Sequence, residues 1–210
     1  MMRSCLGLIV VGLLMLPASH VFANQWNFDV YLDDKKVGTH LFEVVESAEQ
    51  RRVQSIANFN VKFLFFTAYR YQHTATERWV DDCLLGFDAK TKVNGEPIEV
   101  SGTSAAEGFV VEKRDSTELL PGCVMTFAYW NPEFLKQERL INPQTGEFLD
   151  VNVELLGSDT LTVRGEAVSA QRYKVTAKGI DLLVWYSDEN EWLGLESVAE
   201  SGHIIRYELS

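Results

Sequence analysis

Few residues in this chain have the type and spacing to do chemistry. Outside the first 23 residues there are three histidines, His40, His73 and His203, each isolated in sequence. No HExxH, CxxC or His-x-His spacing accompanies them, so no metal site and no cofactor is expected. A GxSxG elbow and a phosphate-cradling glycine loop are also missing from the sequence, which leaves no recognisable catalytic motif. The closest approach to an acid/base pair is His73 with Glu77, which share one face of a strand with Ala75 and Trp79. Side chains four residues apart on a strand lie roughly 13 Å from each other, too far for direct contact. A polar stripe beside a core is the simpler reading, and an atypical enzyme site built from His73, Glu77 or Asp159 stands as the alternative.

Aromatic residues are the stronger signal. Tyr129-Trp130-Asn131-Pro132 sets two large rings beside a turn, and Phe63, Phe65, Phe66, Tyr69 and Tyr71 cluster earlier in the chain. An aromatic lid over an apolar cavity has this form, and so does a ring plugging the end of a solid core. Phe63, Phe65, Tyr69, Tyr71, Tyr129 and Trp130 are therefore the candidate ligand-binding residues. Trp185, Tyr186 and Trp192 read as core and rim. Cys83 and Cys123 could close a disulfide loop or remain as two buried thiols; both readings stay open here.

The elements that would position these residues are strands. Trp26, Phe28, Val30 and Leu32 alternate with polar neighbours, and a short polar link leads to a second strand through His40, Phe42 and Val44. Val53, Ser55, Ala57, Phe59, Val61, Phe63 and Phe65 repeat the pattern over a long strand, followed by Tyr69 to Val80 and by Leu85 to Val93. Such alternation marks a sheet with one face on a core and the other in water. Asn94-Gly95 suits a two-residue hairpin turn. The alternation breaks between Pro121 and Gln137, where a helical turn or two is expected near 124–137, with Asn131 as N-cap and Pro132 at the first helical position. Further strands are expected over Phe148–Leu156, Thr160–Arg164, Gln171–Ala177, Ile180–Ser187, Glu191–Ala199 and His203–Leu209. Ten to twelve strands of this length predict a mostly β fold, a single strongly curved antiparallel sheet forming an open or nearly closed barrel.

The first residues have the profile of a cleavable leader: Arg3, an apolar run from Leu6 to Leu16, Pro17, and Val21-Phe22-Ala23 before a cut at Asn24. Residues 1–23 are read as a signal peptide and 24–210 as one β-barrel-like domain. An apolar run of about eleven residues is shorter than the roughly 20 a bilayer requires, and no later segment is long and apolar enough to span, so no transmembrane segment is expected in the mature chain. The formal net charge of −11 opposes binding to phosphate backbones, and nucleic acid is not an expected partner.

A family resemblance rests on several blocks together: Tyr31 with Val37-Gly38, Glu77-Arg78-Trp79 leading to Leu85-Gly86-Phe87, Tyr129-Trp130-Asn131-Pro132 with Asn142-Pro143-Gln144-Thr145-Gly146, and Trp185-Tyr186 to Arg206-Tyr207-Glu208-Leu209. These resemble an uncharacterised exported bacterial family, domain of unknown function 6134, over nearly all of the mature chain. The C-terminal pattern also resembles the larger periplasmic family numbered 3108. The resemblance implies a Gram-negative periplasmic address and a curved antiparallel sheet, and brings no established activity. In outline that sheet is similar to periplasmic lipoprotein carriers, whose concave face holds acyl chains. The expected function is a periplasmic, non-catalytic binding or carrier protein for an apolar or lipid-like ligand. The alternative is a structural module with a packed core and an envelope protein partner.

Overall fold

The computed structural model describes residues 22–63, 66–199 and 202–210. Within them one antiparallel sheet holds fourteen strands: β1 (Phe22–Leu32), β2 (Lys35–Glu46), β3 (Arg51–Phe63), β4 (Phe66–Val80), β5 (Cys83–Val93), β6 (Glu96–Ala105), β7 (Gly108–Lys113), β8 (Ser116–Leu120), β9 (Arg139–Ile141), β10 (Phe148–Val163), β11 (Glu166–Ala177), β12 (Ile180–Tyr186), β13 (Trp192–Val198) and β14 (Ile204–Leu209). The spatial order runs β8 to β1 and then β14 to β9, so the sheet is two meanders joined where the first strand meets the last. It does not close: β8 and β9 are its edges. Residues 1–21 of the expected leader lie outside the described residues, while Phe22 and Ala23 pair with Glu46 and Val45 as the start of β1.

Period-two patterning decides which face turns inward. Phe28, Val30, Phe42, Val44, Val53, Ala57, Ala75 and Trp79 are all buried, with exposed or half-buried residues between them. Register shifts at Val30/Tyr31, Val61/Lys62, Arg78/Trp79, Leu155/Gly157 and Trp185/Tyr186 bend the strands, and bulges of this kind increase twist and curl a sheet toward a barrel. The Asn94-Gly95 turn has φ of 52° and 98°, the left-handed pair that a tight hairpin requires. Gly102 is needed for space. A Cβ there would lie 2.4 Å from the Phe87 ring and 2.5 Å from the Phe109 ring. Its absence lets those two rings lie parallel, 6.3 Å apart, across the strand between them.

Two expectations about elements are refined. Phe148–Leu156 and Thr160–Arg164 are one 16-residue strand, because Gly157, at φ +109°, sits at a bulge that bends the ladder without ending it. The helical turn is confined to Pro132–Lys136, capped by Asn131, whose side chain accepts from the Glu133 amide at 3.1 Å. Residues 121–131 form an irregular strap linking the two edges of the sheet. The Leu84 amide donates to the Val124 carbonyl at 3.0 Å, and the Ile141 amide to the Met125 carbonyl at 2.8 Å. Val124, Met125, Phe127 and Ala128 bury against the inner face. Cys83 and Cys123 are joined by a disulfide.

Candidate functional site

Beneath the strap the inner face is not filled. A cavity of about 390 Å³ is walled by β2, β3 and β4 on one side, by β12, β13 and β14 on the other, and roofed by Phe127, Ala128, Tyr129 and Trp130. Exposed Gln144, Gly179 and Tyr69 mark its open end. The roof is clipped to both halves of the sheet. On one side Thr126 Oγ1 donates to Glu77 Oε1 at 3.0 Å and Asn131 Nδ2 to Asp82 Oδ1 at 2.9 Å; on the other, Tyr186 Oη donates to the Tyr129 carbonyl at 2.6 Å. Arg51 lies over the Trp130 ring, 5.1 Å from its centroid.

The walls combine rings with buried polar groups. Phe59 stacks on Tyr71 at 5.1 Å, and Phe42 on His40 at 4.1 Å. His40 Nε2 lies 2.7 Å from Ser55 Oγ, and its Nδ1 lies 3.4 Å from Tyr207 Oη. His73 Nδ1 lies 2.9 Å from Thr91 Oγ1. Glu77 also accepts from Trp79 Nε1 at 2.9 Å. Burial dominates the titration of these groups. It pushes His40 down to about 3, helped by the charge of His73, and His73 down to about 4. It pushes the Glu77 carboxyl up to about 7, against the hydrogen bonds from Thr126 and Trp79 that favour its charged form.

The six candidate ligand residues divide. Tyr69, Tyr71, Tyr129 and Trp130 border the cavity. Phe65 and the side chain of Phe63 lie outside the described residues. His73 and Glu77 both face the cavity yet hydrogen-bond elsewhere, His73 to Thr91 and Glu77 to Trp79 and Thr126. Asp159 is not with them: it accepts from Trp185 Nε1 at 3.1 Å and pairs with Arg172 at 3.3 Å, beside the separate apolar cluster of Ala170, Trp185 and Leu193. The grouping that sequence reasoning missed is His40, Ser55 and Tyr207. Its signal was present, since all three are polar residues at inward positions of alternating strands, but the pairing of β1 with β14 is what unites them.

A serine bonded to a histidine invites comparison with a nucleophile and its base. The geometry works against that use. A base held near 3 accepts protons poorly at neutral pH, and Ser55 sits mid-strand, paired with both β2 and β4, so its own backbone amide is not free for a developing oxyanion. Among the described residues no three His, Cys, Asp or Glu side chains are gathered to hold a metal ion, and no helix is long and apolar enough to cross a membrane.

The sequence matches the family model for domain of unknown function DUF6134 over residues 28–210, a span that holds every residue of the cavity. The chain belongs to the DUF6134 family. In three dimensions this DUF6134 member is similar to the crystal structure of a beta-barrel-like protein of domain of unknown function DUF1849 from Brucella abortus. The TM-score is 0.66 at 10% identity, over 89% of this chain and 94% of the other, a likeness of fold alone. No protein of curated function matches the chain in sequence.

The buried groups give the DUF6134 fold a signed pH dependence. A carboxyl raised in the folded state weakens the fold as it ionises, so stability from Glu77 is full below about 4.5 and is lost as pH rises to about 7. Histidines lowered from 6.5 act oppositely, and stability falls as pH drops below 6.5 toward their folded values. Two histidines against one carboxyl leave a net loss of about 1.4 kcal/mol per pH unit between 6.5 and 4.5. In His73→Gln this slope should flatten relative to the parent, measured by denaturant titration across that range. An unchanged slope would show that His73 protonates as freely folded as unfolded.

Proposed function

We propose that this is an exported periplasmic carrier or binding protein, without catalytic activity, that holds one apolar or lipid-like molecule in the cavity under the strap. The observation that carries the reading is the cavity of about 390 Å³ behind Tyr129 and Trp130, in the size range of small-molecule sites and lined mainly by rings and aliphatic side chains. A module built only for interaction would need no such space inside its sheet. The leader profile and the disulfide agree with an oxidising compartment outside the cytoplasm. The low basicity of His40 and the paired backbone around Ser55 support binding over turnover.

Two measurements test it. Protein purified from the periplasm should begin at Asn24 and carry an apolar molecule detectable by native mass spectrometry. Saturating the emptied protein with an acyl ligand at about 100 times its Kd should stabilise it by about 2.7 kcal/mol, a rise in melting temperature of roughly 5–10 °C for a domain of this size. No co-purifying molecule and no thermal shift would exclude the carrier reading.

A further inference from the structure

More of the cavity's lining is apolar than polar, and its polar groups are of one kind, which restricts what can lie against them. Among the described residues, none that lines the cavity is Lys or Arg. Among the described residues His40 and His73 are the only basic side chains on its walls, and both are held in their neutral form by burial. The one lining carboxyl among the described residues, Glu77, already accepts from Trp79 on one oxygen and from Thr126 on the other. Among the described residues a carboxylate or phosphate entering here meets no positive charge, and an ammonium meets only a carboxyl that is already engaged. Burying an unpaired charge is strongly unfavourable. Hydrogen-bonding capacity remains all the same. Ser55 Oγ is engaged by His40 and, as a hydroxyl, has one donor and two acceptor sites in all. Among the described residues Tyr207 Oη has only the long 3.4 Å contact to His40, and Nε2 of His73 has no partner.

We infer that the molecule held in this cavity has an uncharged hydrogen-bonding head, a hydroxyl or carbonyl group, seated against Ser55, His40 and Tyr207, with its apolar body along Phe59, Tyr71 and the strap. The inference rests on the carrier reading and adds the class of ligand. Neutral histidine, serine and tyrosine hydroxyls each donate and accept, which suits a hydroxyl or carbonyl and leaves no charge unpaired.

The test uses the mature chain and ten-carbon probes of equal length, decan-1-ol, decanoate and decylamine, titrated calorimetrically at pH 7.5 below their aggregation limits. Decan-1-ol should bind at least about tenfold more tightly than either charged probe, the size of step that about 1.4 kcal/mol produces. Ser55→Ala and Tyr207→Phe, both mild changes in volume, should each weaken decan-1-ol by about fivefold, the value of one neutral hydrogen bond. Their circular dichroism should match the parent. Decanoate or decylamine binding as well as the alcohol overturns the inference while leaving the carrier reading intact. So does unchanged decan-1-ol affinity in both variants. Failure of all three probes to bind overturns the carrier reading, and this inference falls with it.

Discussion

Replacing Cys83 and Cys123 together by serine lowers the melting temperature by roughly 8–16 °C, and added reductant does the same to the parent protein while leaving the variant unmoved. The expectation follows from the loop that the bond closes. The two cysteines are 40 residues apart, and a cross-link over a loop of that length removes about 4 kcal/mol of chain entropy from the unfolded state. In a domain of this size each kcal/mol moves the melting temperature by about 2–4 °C. The bond also has a local task, because Cys123 begins the strap whose next residues, Val124 and Met125, are buried. Freed from β5, the strap keeps its contacts to Glu77, Ile141 and Tyr186 but loses its covalent end, so limited proteolysis should cut first between 121 and 131. A shift under about 2 °C, measured by scanning calorimetry with and without reductant, would mean that the strap holds itself in place without the bond.

Trp79→Ala should be the most damaging single substitution in the core. The side chain is fully buried and meets Trp130 edge-on at 5.5 Å between ring centroids. Removing a buried tryptophan costs about 3–5 kcal/mol through lost contacts and the space left behind. A second loss adds to this, since Trp79 Nε1 donates to Glu77 at 2.9 Å and its removal leaves that buried carboxyl with Thr126 alone. Leaving a buried polar group short of a partner costs about 1–3 kcal/mol more. Against a total of about 5–15 kcal/mol, the sum of about 4–8 kcal/mol removes roughly half of the stability. Trp79→Phe separates the two contributions: it keeps most of the ring and forfeits only the hydrogen bond. Its penalty should be larger above pH 7, where Glu77 is ionised, than at pH 5. Denaturant unfolding of both variants would decide it, and a Trp79→Ala loss within about 1 kcal/mol would contradict the packing argument.

Much of this fold was legible because a strand with one wet face writes its geometry into every second residue. The inward sets on β2, β3 and β4 follow the alternation of His40-Phe42-Val44, Val53-Ser55-Ala57 and His73-Ala75-Glu77. What escaped has physical reasons. β8 is short, and four of its five residues are exposed, so alternation left no trace. The β10 bend at Gly157 looked like a break because glycine both ends strands and kinks them. In the candidate site, Tyr129 and Trp130 stood out as rings outside the strand pattern, and they form the cavity roof. The His40–Ser55–Tyr207 group could not be found from local pattern, since His40 and Tyr207 are separated by 167 positions and meet only through the tertiary fold. Asp159 was grouped with His73 and Glu77 by residue type alone, and its partners Arg172 and Trp185 lie away from the cavity.

Every strand pairing in the sheet but one links an element to its immediate successor along the chain; the exception joins β1 to β14, with Phe28 opposite Leu209. Each meander can therefore assemble from low-contact-order hairpins as it is made, whereas the suture between them has to wait for β14. Until then β1 shows a row of unpaired amides and carbonyls, a template for wrong partners. A newborn chain is thus most vulnerable to misassembly in the interval before β14 docks, and a chain lacking Ile204–Leu209 would have its two half-sheets tied by the strap alone.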